Sequence, residues 1–423
     1  NLAVKKIAVR ELVEFILRSG SIDEGKNSNH TPQEGARIHR QLQKEGGSEY
    51  QKEVWLKKSL EIADTAVQIE GRADGIYIEE DRVFIDEIKT SETPFEELEP
   101  GIIDLYFYQA MVYAYIYSEQ EELLEIGTRL TYFQTTEEKI TRQIRTFTFD
   151  ELTDFFEDLI KRYENWLIFQ MEWRETRNRS LQALSFPFDT YRAGQRELAA
   201  AVYKTIHAQQ KLFVEAPTGT GKTMSTIFPA FKAMGEGLGE RIFYLTAKTI
   251  TRQVAEETVT KITKKEARVK SVTLTAKDKI CFLTERNCTP EHCPFAKGYY
   301  DRVNDGLWDM LNNEDQYTRP VIEDYARKHE LCPFELSLDV SRFCDLVVGD
   351  YNYLFDPTVY LRRFFEEENR TNLVLVDEAH NLVNRSKEMY SASISRENIA
   401  QMQKDLDKSF KKLNKAFIRV DNE

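Results

Sequence analysis

The sequence lacks long apolar runs, and its start lacks the features of a secretory leader. No stretch of about 18 consecutive apolar residues occurs, so no membrane-spanning helix is predicted. The first residues, Asn1-Leu-Ala-Val-Lys-Lys, contain no charged segment followed by an apolar stretch and a small-residue cleavage site. They also contain no initiator methionine, so we expect the chain to be a piece of a longer protein.

Cysteine is scarce as well. Its 5 copies among 423 residues all lie between Cys281 and Cys344. A secreted protein held together by disulfides would carry more cysteines, even in number and spread along the chain. The count favours a reducing compartment, such as the cytoplasm of a bacterial cell, and the clustering predicts a metal site.

An excess of positive charge is also absent. Lys and Arg number 58 against 71 Asp and Glu, and the net charge of −13 argues against a protein that coats nucleic acid through its overall potential. The net charge of residues 1–180 is −13 and that of residues 181–423 is zero. Any contact with nucleic acid must therefore depend on local grooves. The remaining composition, 41% hydrophobic and 12% aromatic, is typical of ordered globular domains, about three of them for this length.

The composition changes near residue 180, where a long amphipathic helix predicted over about 149–178 ends. Before this boundary, a strand–turn–strand stretch at 71–90 precedes a Tyr-rich helix. The first part of the chain is therefore predicted to be a mixed α/β domain.

After the boundary, β-branched and aromatic runs alternate with helical segments. The runs lie at 211–215, 241–246 and 372–377. This alternation predicts a parallel sheet with crossover helices. The stretch 272–345, which holds every cysteine, interrupts the alternation and is predicted to be an inserted subdomain.

A glycine-rich loop follows the first of these predicted strands. It reads Ala216-Pro-Thr-Gly-Thr-Gly-Lys-Thr223 and leads into a predicted helix, which is the context of a phosphate-binding loop. Gly219 and Gly221 let consecutive backbone N–H groups point at phosphate oxygens. Lys222 is expected to reach the outer phosphates, and Thr223 to bind Mg²⁺. The alternative is a plain turn before a helix.

A second motif lies at the end of the predicted strand 372–377. The apolar run delivers Asp377 and Glu378 at its carboxyl end, where open α/β sheets bind ligands. Asp377 is expected to hold the Mg²⁺ shell, and Glu378 to activate the attacking water. The alternative is an ordinary acidic loop between a strand and a helix. The occurrence of the acidic motif together with the phosphate loop nevertheless predicts a site that hydrolyses ATP.

The two motifs together resemble the DEAH-box helicases of superfamily 2, and more narrowly the XPD/DinG family of DNA helicases. Phe186-Pro-Phe with Tyr191-Arg-Ala-Gly-Gln195 resembles the adenine-side segment of that family, and Leu245-Thr-Ala-Lys-Thr249 resembles its first strand-contacting motif. The resemblance implies that Gln195 contacts adenine and that His380 links hydrolysis to motion. A polar residue at a helix start is the alternative for Gln195.

The resemblance also implies ATP-driven movement, usually 5′ to 3′, on single-stranded or forked DNA. A motor of this family needs a second RecA-like lobe, which we expect to lie beyond residue 423. This chain by itself is therefore expected to bind nucleotide weakly and to unwind nothing.

Four of the cysteines have the spacing Cys281-x6-Cys288-x4-Cys293-x38-Cys332. Four thiolates satisfy either a tetrahedral zinc ion or an iron–sulfur cluster, and the spacing fits both. The XPD/DinG resemblance implies a [4Fe–4S] cluster in this interval, and ordinary buried cysteines are the third alternative. Cys344 lies in the segment that follows and is predicted to be a core thiol.

A predicted hairpin in the first part of the chain carries Asp74 on one strand and Glu87 with Lys89 on the next. A turn centred on Glu80 and Asp81 places position 74 opposite position 87, so the two carboxylates face each other. Facing like charges destabilise a sheet, and a divalent cation between them removes that penalty. The hairpin therefore predicts a metal site.

This layout resembles the PD-(D/E)XK nucleases, in which two carboxylates bind Mg²⁺ or Mn²⁺ and the lysine steers the attacking water. Gln109-x-x-x-Tyr113 at helical spacing, with His39 upstream, makes it similar to the RecB-type branch. The resemblance implies that His39 joins the metal shell and that Gln109 and Tyr113 contact the site or DNA. The alternatives are core or surface roles for these three residues, and a domain that clamps DNA without cutting it.

These interpretations predict an α/β protein with four segments. They are a restriction-endonuclease-like, RecB-type nuclease domain at 1–180, a RecA-like helicase lobe at 181–271 and 346–385, an iron–sulfur insertion at 272–345, and the start of a helical arch at 386–423. The predicted function is that of an ATP-dependent DNA helicase fused to a metal-dependent nuclease.

Overall fold

Two β-sheets organise the chain, and helices cover both. The computed structural model describes residues 4–24, 32–217, 219, 221–359, 361, 364, 372–393, 395–405 and 411–422. The strands are β1 (Lys5–Ala8), β2 (Gln51–Ile62), β3 (Thr65–Glu79), β4 (Arg82–Ser91), β5 (Glu125–Gln134), β6 (Lys139–Thr148), β7 (Arg241–Leu245), β8 (Ser271–Thr273), β9 (Gln316–Tyr317), β10 (Leu346–Gly349) and β11 (Asn372–Val376). The helices are α1 (Val9–Leu17), α2 (Pro32–Glu45), α3 (Pro100–Glu121), α4 (Phe149–Ala183), α5 (Gln195–His207), α6 (Lys222–Gly235), α7 (Thr249–Thr263), α8 (Lys277–Ile280), α9 (Tyr299–Asn313), α10 (Arg319–Lys328), α11 (Pro333–Ser341), α12 (Asn352–Phe355), α13 (Leu382–Met389), α14 (Arg396–Asp405) and α15 (Lys411–Asn422). Within the described ranges, none of these helices is both long enough and apolar enough to cross a membrane.

The first sheet is mixed and has the strand order β1-β3-β4-β5-β6, with β2 paired to β3. β3 and β4 form the predicted hairpin, and both turn residues, Glu80 and Asp81, have positive φ. Gly75 pairs with Asp86, and every pair of numbers in this ladder sums to 161, so the predicted register is confirmed. Side chains of this sheet share one core with α1, α3 and α4.

The second sheet is wholly parallel and has the strand order β11-β7-β10-β8-β9. Alternate side chains of β7 enter opposite cores. Phe243 and Leu245 belong to the core shared with α9 and α11, whereas Ile242 and Tyr244 belong to the core shared with α6 and α7. The predicted α/β class, with a parallel RecA-like sheet after residue 180, is confirmed.

The predicted strand at 211–215 is wrong. Residues 211–217 run outside both sheets, and the side chain of Phe213 is 90% exposed. β11 forms the edge of the described sheet, where Val374 is 40% exposed. A β-branched or aromatic run becomes a strand only where a neighbouring strand takes up its backbone hydrogen bonds. No strand of the described part of the chain does so here.

Helix α4 joins the two sheets and extends past the end predicted near residue 178. A capping box fixes its start: Glu151 N donates to Thr148 Oγ1 at 3.2 Å, and Thr148 N donates to the Glu151 carboxylate at 2.8 Å. The helix has 35 residues and is roughly 52 Å long. Near its end, Leu181 enters the core on the second sheet, so one helix belongs to both packed units.

A buried ion pair holds the end of α4 to the second sheet. Arg177 Nη1 lies 2.8 Å from Asp345 Oδ1, and the two side chains are 7% and 5% exposed. The other oxygen of Asp345 accepts hydrogen bonds from Trp173 Nε1 at 3.0 Å and from Lys270 N at 2.8 Å. Both oxygens of this buried carboxylate are therefore paired, which offsets the cost of its desolvation.

Arg177→Ala is expected to lower the free energy of unfolding by about 3–5 kcal/mol, because the Asp345 carboxylate then stays buried without its partner. Urea unfolding followed by tryptophan fluorescence measures the change. The matched control is Arg179→Ala, whose ion pair with Glu175 is exposed on both sides and is expected to contribute little. Equal unfolding midpoints for the two variants would contradict this role of Arg177.

Candidate functional site

The glycine-rich loop lies at the N-terminus of α6, where a helix presents backbone N–H groups to an anion. Gly219 and Gly221 have φ of +83° and +74°, a region that favours glycine. A Cβ at Gly221 would lie 2.4 Å from Gln195 Nε2, so the absence of a side chain lets Gln195 pack against the loop. Gln195 is 3% exposed, and its Oε1 accepts a hydrogen bond from Arg192 N at 3.0 Å.

The acidic motif lies beside this loop. Lys222 Nζ is 3.3 Å from Glu378 Oε1, although the two residues are 156 positions apart in the sequence. Thr223 Oγ1 is 3.3 Å from the hydroxyl oxygen of Tyr244, and that hydroxyl is also hydrogen-bonded to Asp377. The structure therefore brings the two predicted halves of the nucleotide site together.

Two tyrosines that were not predicted as site residues support the acidic motif. Tyr244 contacts Asp377, as described above, and Tyr351 donates a hydrogen bond to the Glu378 carbonyl oxygen at 2.9 Å. Burial raises the pKa of Asp377, and the Tyr244 hydroxyl offsets part of that rise. A polar-tipped aromatic residue in the otherwise apolar run Ile242–Leu245 was the available signal for Tyr244. His380 is mostly exposed, with its Nδ1 at 3.4 Å from Glu378 Oε2.

The hairpin of the first sheet brings together the predicted carboxylates and histidine. Asp74 and Glu87 lie one position beyond the last pair of the ladder, Gly75 with Asp86, and Asp74 Oδ2 accepts a hydrogen bond from Ile88 N at 2.7 Å. His39 on α2 has its Nδ1 at 3.5 Å from Asp74 Oδ1. Residues from a helix and two strands thus meet at one end of the hairpin.

Lys89 lies at the centre of this group. Its Nζ is 2.7 Å from Glu87 Oε1 and 3.0 Å from Gln109 Oε1. Burial raises the pKa of Glu87 to about 7, although the ammonium of Lys89 opposes that rise. Burial by itself would lower the pKa of Lys89, but the carboxylates of Glu87 and Asp74 raise it overall. A carboxyl group poised near neutral pH beside a charged lysine is typical of catalytic sites.

Tyr113 closes the same group from α3. A Cβ at Gly71 would lie 2.6 Å from the Tyr113 hydroxyl, so this glycine allows the ring to approach β3. Burial, and then the charges of Glu87 and Asp74, raise the pKa of Tyr113 above its usual value. The hydroxyl is therefore kept protonated next to the carboxylates.

A network on the opposite face of β4 was not predicted. Asp86 accepts hydrogen bonds from the hydroxyls of Tyr50 and Thr131, both at 2.7 Å, and pairs with Arg129 at 2.8 Å. Tyr50 precedes β2, whereas Arg129 and Thr131 lie on β5, so no local pattern reveals these partners. The network anchors β4 and thereby the strand position of Glu87.

The described residues contain no group of three His, Cys, Asp or Glu side chains that is arranged to hold a metal ion. His39 and Asp74 are adjacent, whereas Glu87 is paired with Lys89. Two carboxylates and an imidazole are nevertheless suitable ligands for Mg²⁺ or Mn²⁺.

Two family models match the second part of the chain. One, described as DEAD/DEAH box helicase, matches residues 195–295, which contain the phosphate loop. The other, described as DEAD_2, matches residues 246–399, which contain the acidic motif and all five cysteines. The matched ranges thus include both halves of the predicted nucleotide site.

Curated relatives and solved structures are similar to the same part of the chain. "Regulator of telomere elongation helicase 1 homolog" of Caenorhabditis briggsae is 25% identical over 274 residues, which are 54% of this chain and 27% of that protein. "General transcription and DNA repair factor IIH helicase subunit XPD" of Arabidopsis thaliana is 22% identical over 256 residues, 53% of this chain and 34% of that protein. The matches support an XPD-family superfamily 2 helicase.

The matched part of the chain spans no more than 34% of the length of these two relatives. A solved structure titled "XPD_Helicase" covers 56% of this chain and 40% of its own chain, with 17% identity and a TM-score of 0.39.

In the matched part of the chain, the four predicted ligand cysteines line one cavity. Around them lie apolar side chains, namely Ile22, Phe282, Leu283, Phe295 and Phe334. Burial raises the pKa of Cys332 to about 11, so ligation there requires the displacement of a proton. Cys344 lies apart from this cavity, is 3% exposed, and donates from Sγ to the Val340 carbonyl oxygen at 3.3 Å, as a core thiol does.

Proposed function

We propose that the protein is an ATP-dependent DNA helicase of the XPD/DinG type, which moves 5′ to 3′ on single-stranded or forked DNA. The observation that carries the proposal is the convergence of the phosphate loop with the acidic motif, where Lys222 Nζ lies 3.3 Å from Glu378 Oε1. The matched relatives are named as helicases, which supports the same helicase activity.

Each residue of the nucleotide site has a role in this proposal. Gly219 and Gly221 shape the loop whose N–H groups bind phosphate, and Lys222 reaches the outer phosphates. The Thr223 hydroxyl and the Asp377 carboxylate would hold Mg²⁺, which supplies charge neutralisation when bound.

The acidic motif and the adenine side complete the site. Glu378 accepts a proton from the attacking water, and its ion pair with Lys222 must break before it can do so. Gln195 would contact adenine, and its packing against the loop at Gly221 supports this role. His380 would link hydrolysis to motion, and its contact with Glu378 at 3.4 Å supports this role.

Strand displacement tests the proposed motor. The intact protein is given a labelled duplex with either a 5′ or a 3′ single-stranded overhang, together with ATP and Mg²⁺. We expect displacement from the 5′ overhang only, and none with a non-hydrolysable ATP analogue. Displacement from the 3′ overhang would overturn the direction, and displacement without hydrolysis would overturn the motor.

For the first sheet, we propose a nuclease that cuts phosphodiesters with Mg²⁺ or Mn²⁺. Asp74, Glu87 and His39 would hold the metal ion, which polarises the scissile phosphate when bound. Lys89 steers the attacking water, while Gln109 and Tyr113 orient Lys89 and the DNA. The contact of Lys89 with both Glu87 and Gln109 supports these assignments.

A second candidate for this sheet is a clamp that binds DNA without cutting it. The pairing of Glu87 with Lys89 favours it, because that pairing satisfies the carboxylate without a metal ion. Incubation of end-labelled single-stranded DNA with the protein and Mn²⁺ separates the two candidates. Cutting by the parent supports the nuclease, whereas DNA binding without cutting supports the clamp.

For the cysteine cavity, we propose a [4Fe–4S] cluster held by Cys281, Cys288, Cys293 and Cys332. All four line one cavity, which supports a common ligand, and the XPD/DinG resemblance favours an iron–sulfur cluster over zinc. We expect the purified protein to be brown, with broad absorption near roughly 400 nm. The Cys281→Ser variant is expected to lose this absorption. A colourless protein that contains zinc would overturn the cluster.

We propose the domain division 1–180, 181–271 with 346–385, 272–345 and 386–423, with α4 shared across the first boundary. Residues 382–389, 396–405 and 411–422 are helical, which supports a helical arch in the last segment.

A further inference from the structure

Segment 18–24, which follows α1, lies against the cysteine-rich insertion. Ile22 N donates to the Ala296 carbonyl oxygen at 3.0 Å, and Glu24 N donates to the Cys288 carbonyl oxygen at 3.0 Å. The second acceptor belongs to one of the four cavity cysteines. The segment therefore contacts the ligand loop directly, although more than 260 residues separate the two in the sequence.

Side chains of the same segment help to form the cavity. Ile22 is 8% exposed and lines the cavity together with the four cysteines. Glu24 forms an ion pair with Lys277, which also lines the cavity and lies 3.5 Å from Glu335. One wall of the cavity thus comes from the unit that carries the carboxylate site.

Further contacts hold the segment in place. Arg18 pairs with Asp339 at 3.2 Å, and both side chains are largely buried. Gly298 N donates to Ser21 Oγ at 2.9 Å, and Tyr300 N donates to the Gly20 carbonyl oxygen at 3.0 Å. Contacts therefore continue along the segment on both sides of the cavity wall.

Helix α1 continues the contact into the shared core. Phe15 packs against Phe343 with a ring-centroid distance of 5.7 Å and against Trp166 at 4.8 Å. Asn304 Nδ2 donates to the Phe15 carbonyl oxygen at 2.8 Å. The first unit and the insertion are thus joined by a packed apolar core as well as by polar contacts.

We propose that segment 18–24 is a wall of the cysteine cavity, so that filling of the cavity and docking of the first unit stabilise each other. The inference rests on the proposed cluster for its ligand, but the wall itself rests on contacts alone. A ligand that binds only the docked state stabilises docking, and docking strengthens ligand retention by the same factor.

Thiol accessibility tests the wall without any metal. In metal-free, reduced protein, mass spectrometry measures the alkylation rate of each cysteine in the parent, in Ile22→Ala and in Glu24→Ala. We expect the cavity cysteines to react about fivefold or more faster in the two variants, the effect of losing about one buried contact. Cys344, buried elsewhere, is the internal control and should keep its parent rate.

The matched control variant is Glu96→Ala, which breaks an exposed ion pair with Lys139 in the same unit. It should react as the parent does. Parent-like rates for Ile22→Ala and Glu24→Ala would overturn the wall. Faster alkylation of Cys344 in a variant would show general unfolding. The milder Ile22→Val would then be tested in the same way, by comparing the alkylation rates of the cavity cysteines with that of Cys344.

Iron retention tests the coupling. The absorption near roughly 400 nm is followed after a chelator is added, and the two wall variants should lose it about fivefold faster than the parent and Glu96→Ala. Equal rates would overturn the coupling. A parent protein without iron would defeat the cluster assignment and not the wall. The coupling would then be measured by hydrogen exchange of residues 9–24, with and without the metal ion that the protein is found to bind. Unchanged exchange would overturn the coupling.

Discussion

Glu378→Gln is expected to lower DNA-stimulated ATP hydrolysis by about 10²–10⁴-fold, because the amide cannot accept the proton of the attacking water. ATP binding should change little, since the phosphate loop at Lys222 and Thr223 stays intact. Phosphate release by the intact protein measures hydrolysis, and displacement of a fluorescent ATP analogue measures binding.

The matched control for this change is Glu240→Gln, the same exchange at an exposed glutamate that pairs with Arg174 at 3.4 Å. It should hydrolyse ATP at the parent rate. If Glu378→Gln also kept the parent rate, Glu378 would not be the general base, and the proposed site would lose its chemistry.

Asp74→Asn and Glu87→Gln are each expected to lower Mn²⁺-dependent cutting of single-stranded DNA by at least about 10²-fold. Each removes an anionic ligand, and charge stabilisation by the metal ion contributes several kcal/mol to the reaction. Gel analysis of end-labelled DNA measures the loss. Glu96→Gln, an exposed carboxylate on the same unit, is the control and should cut at the parent rate.

The pH dependence of metal binding follows from the same pair of residues. Burial raises the pKa of Glu87 to about 7, so the carboxyl is protonated below that pH and a metal ion must displace the proton. Affinity for Mn²⁺ should therefore fall by up to about tenfold per pH unit below pH 7 and level off above it. Titration calorimetry between about pH 5.5 and 8 measures this slope. A flat profile for the parent would contradict the role of Glu87 as a ligand.

Much of the local structure could be predicted because it depends on short-range patterns. The hairpin register follows from the turn at Glu80 and Asp81, and β7 and β11 follow from β-branched and aromatic runs. The run at 211–215 is also rich in β-branched and aromatic residues, but it forms no strand, because a strand needs a neighbouring strand to take up its backbone hydrogen bonds. Composition therefore identifies candidates for strands and does not decide pairing.

The candidate sites divide in the same way. Spacing within the phosphate loop and the acidic motif predicted which residues carry chemistry, but it did not predict that Tyr244 joins Thr223 to Asp377. Nor did the spacing predict that Lys89 forms an ion pair with the Glu87 carboxylate. Such contacts depend on rotamers and on neighbouring segments, which no spacing rule describes.

The sequence by itself determined the element types, the hairpin register and the chemical character of each motif, because these depend on backbone periodicity and residue type over a few positions. Only the tertiary structure decided that α4 serves two packed units and that segment 18–24 lines the cysteine cavity. These contacts join residues far apart in the chain. They are selected by the packing of whole surfaces, which local propensity does not encode.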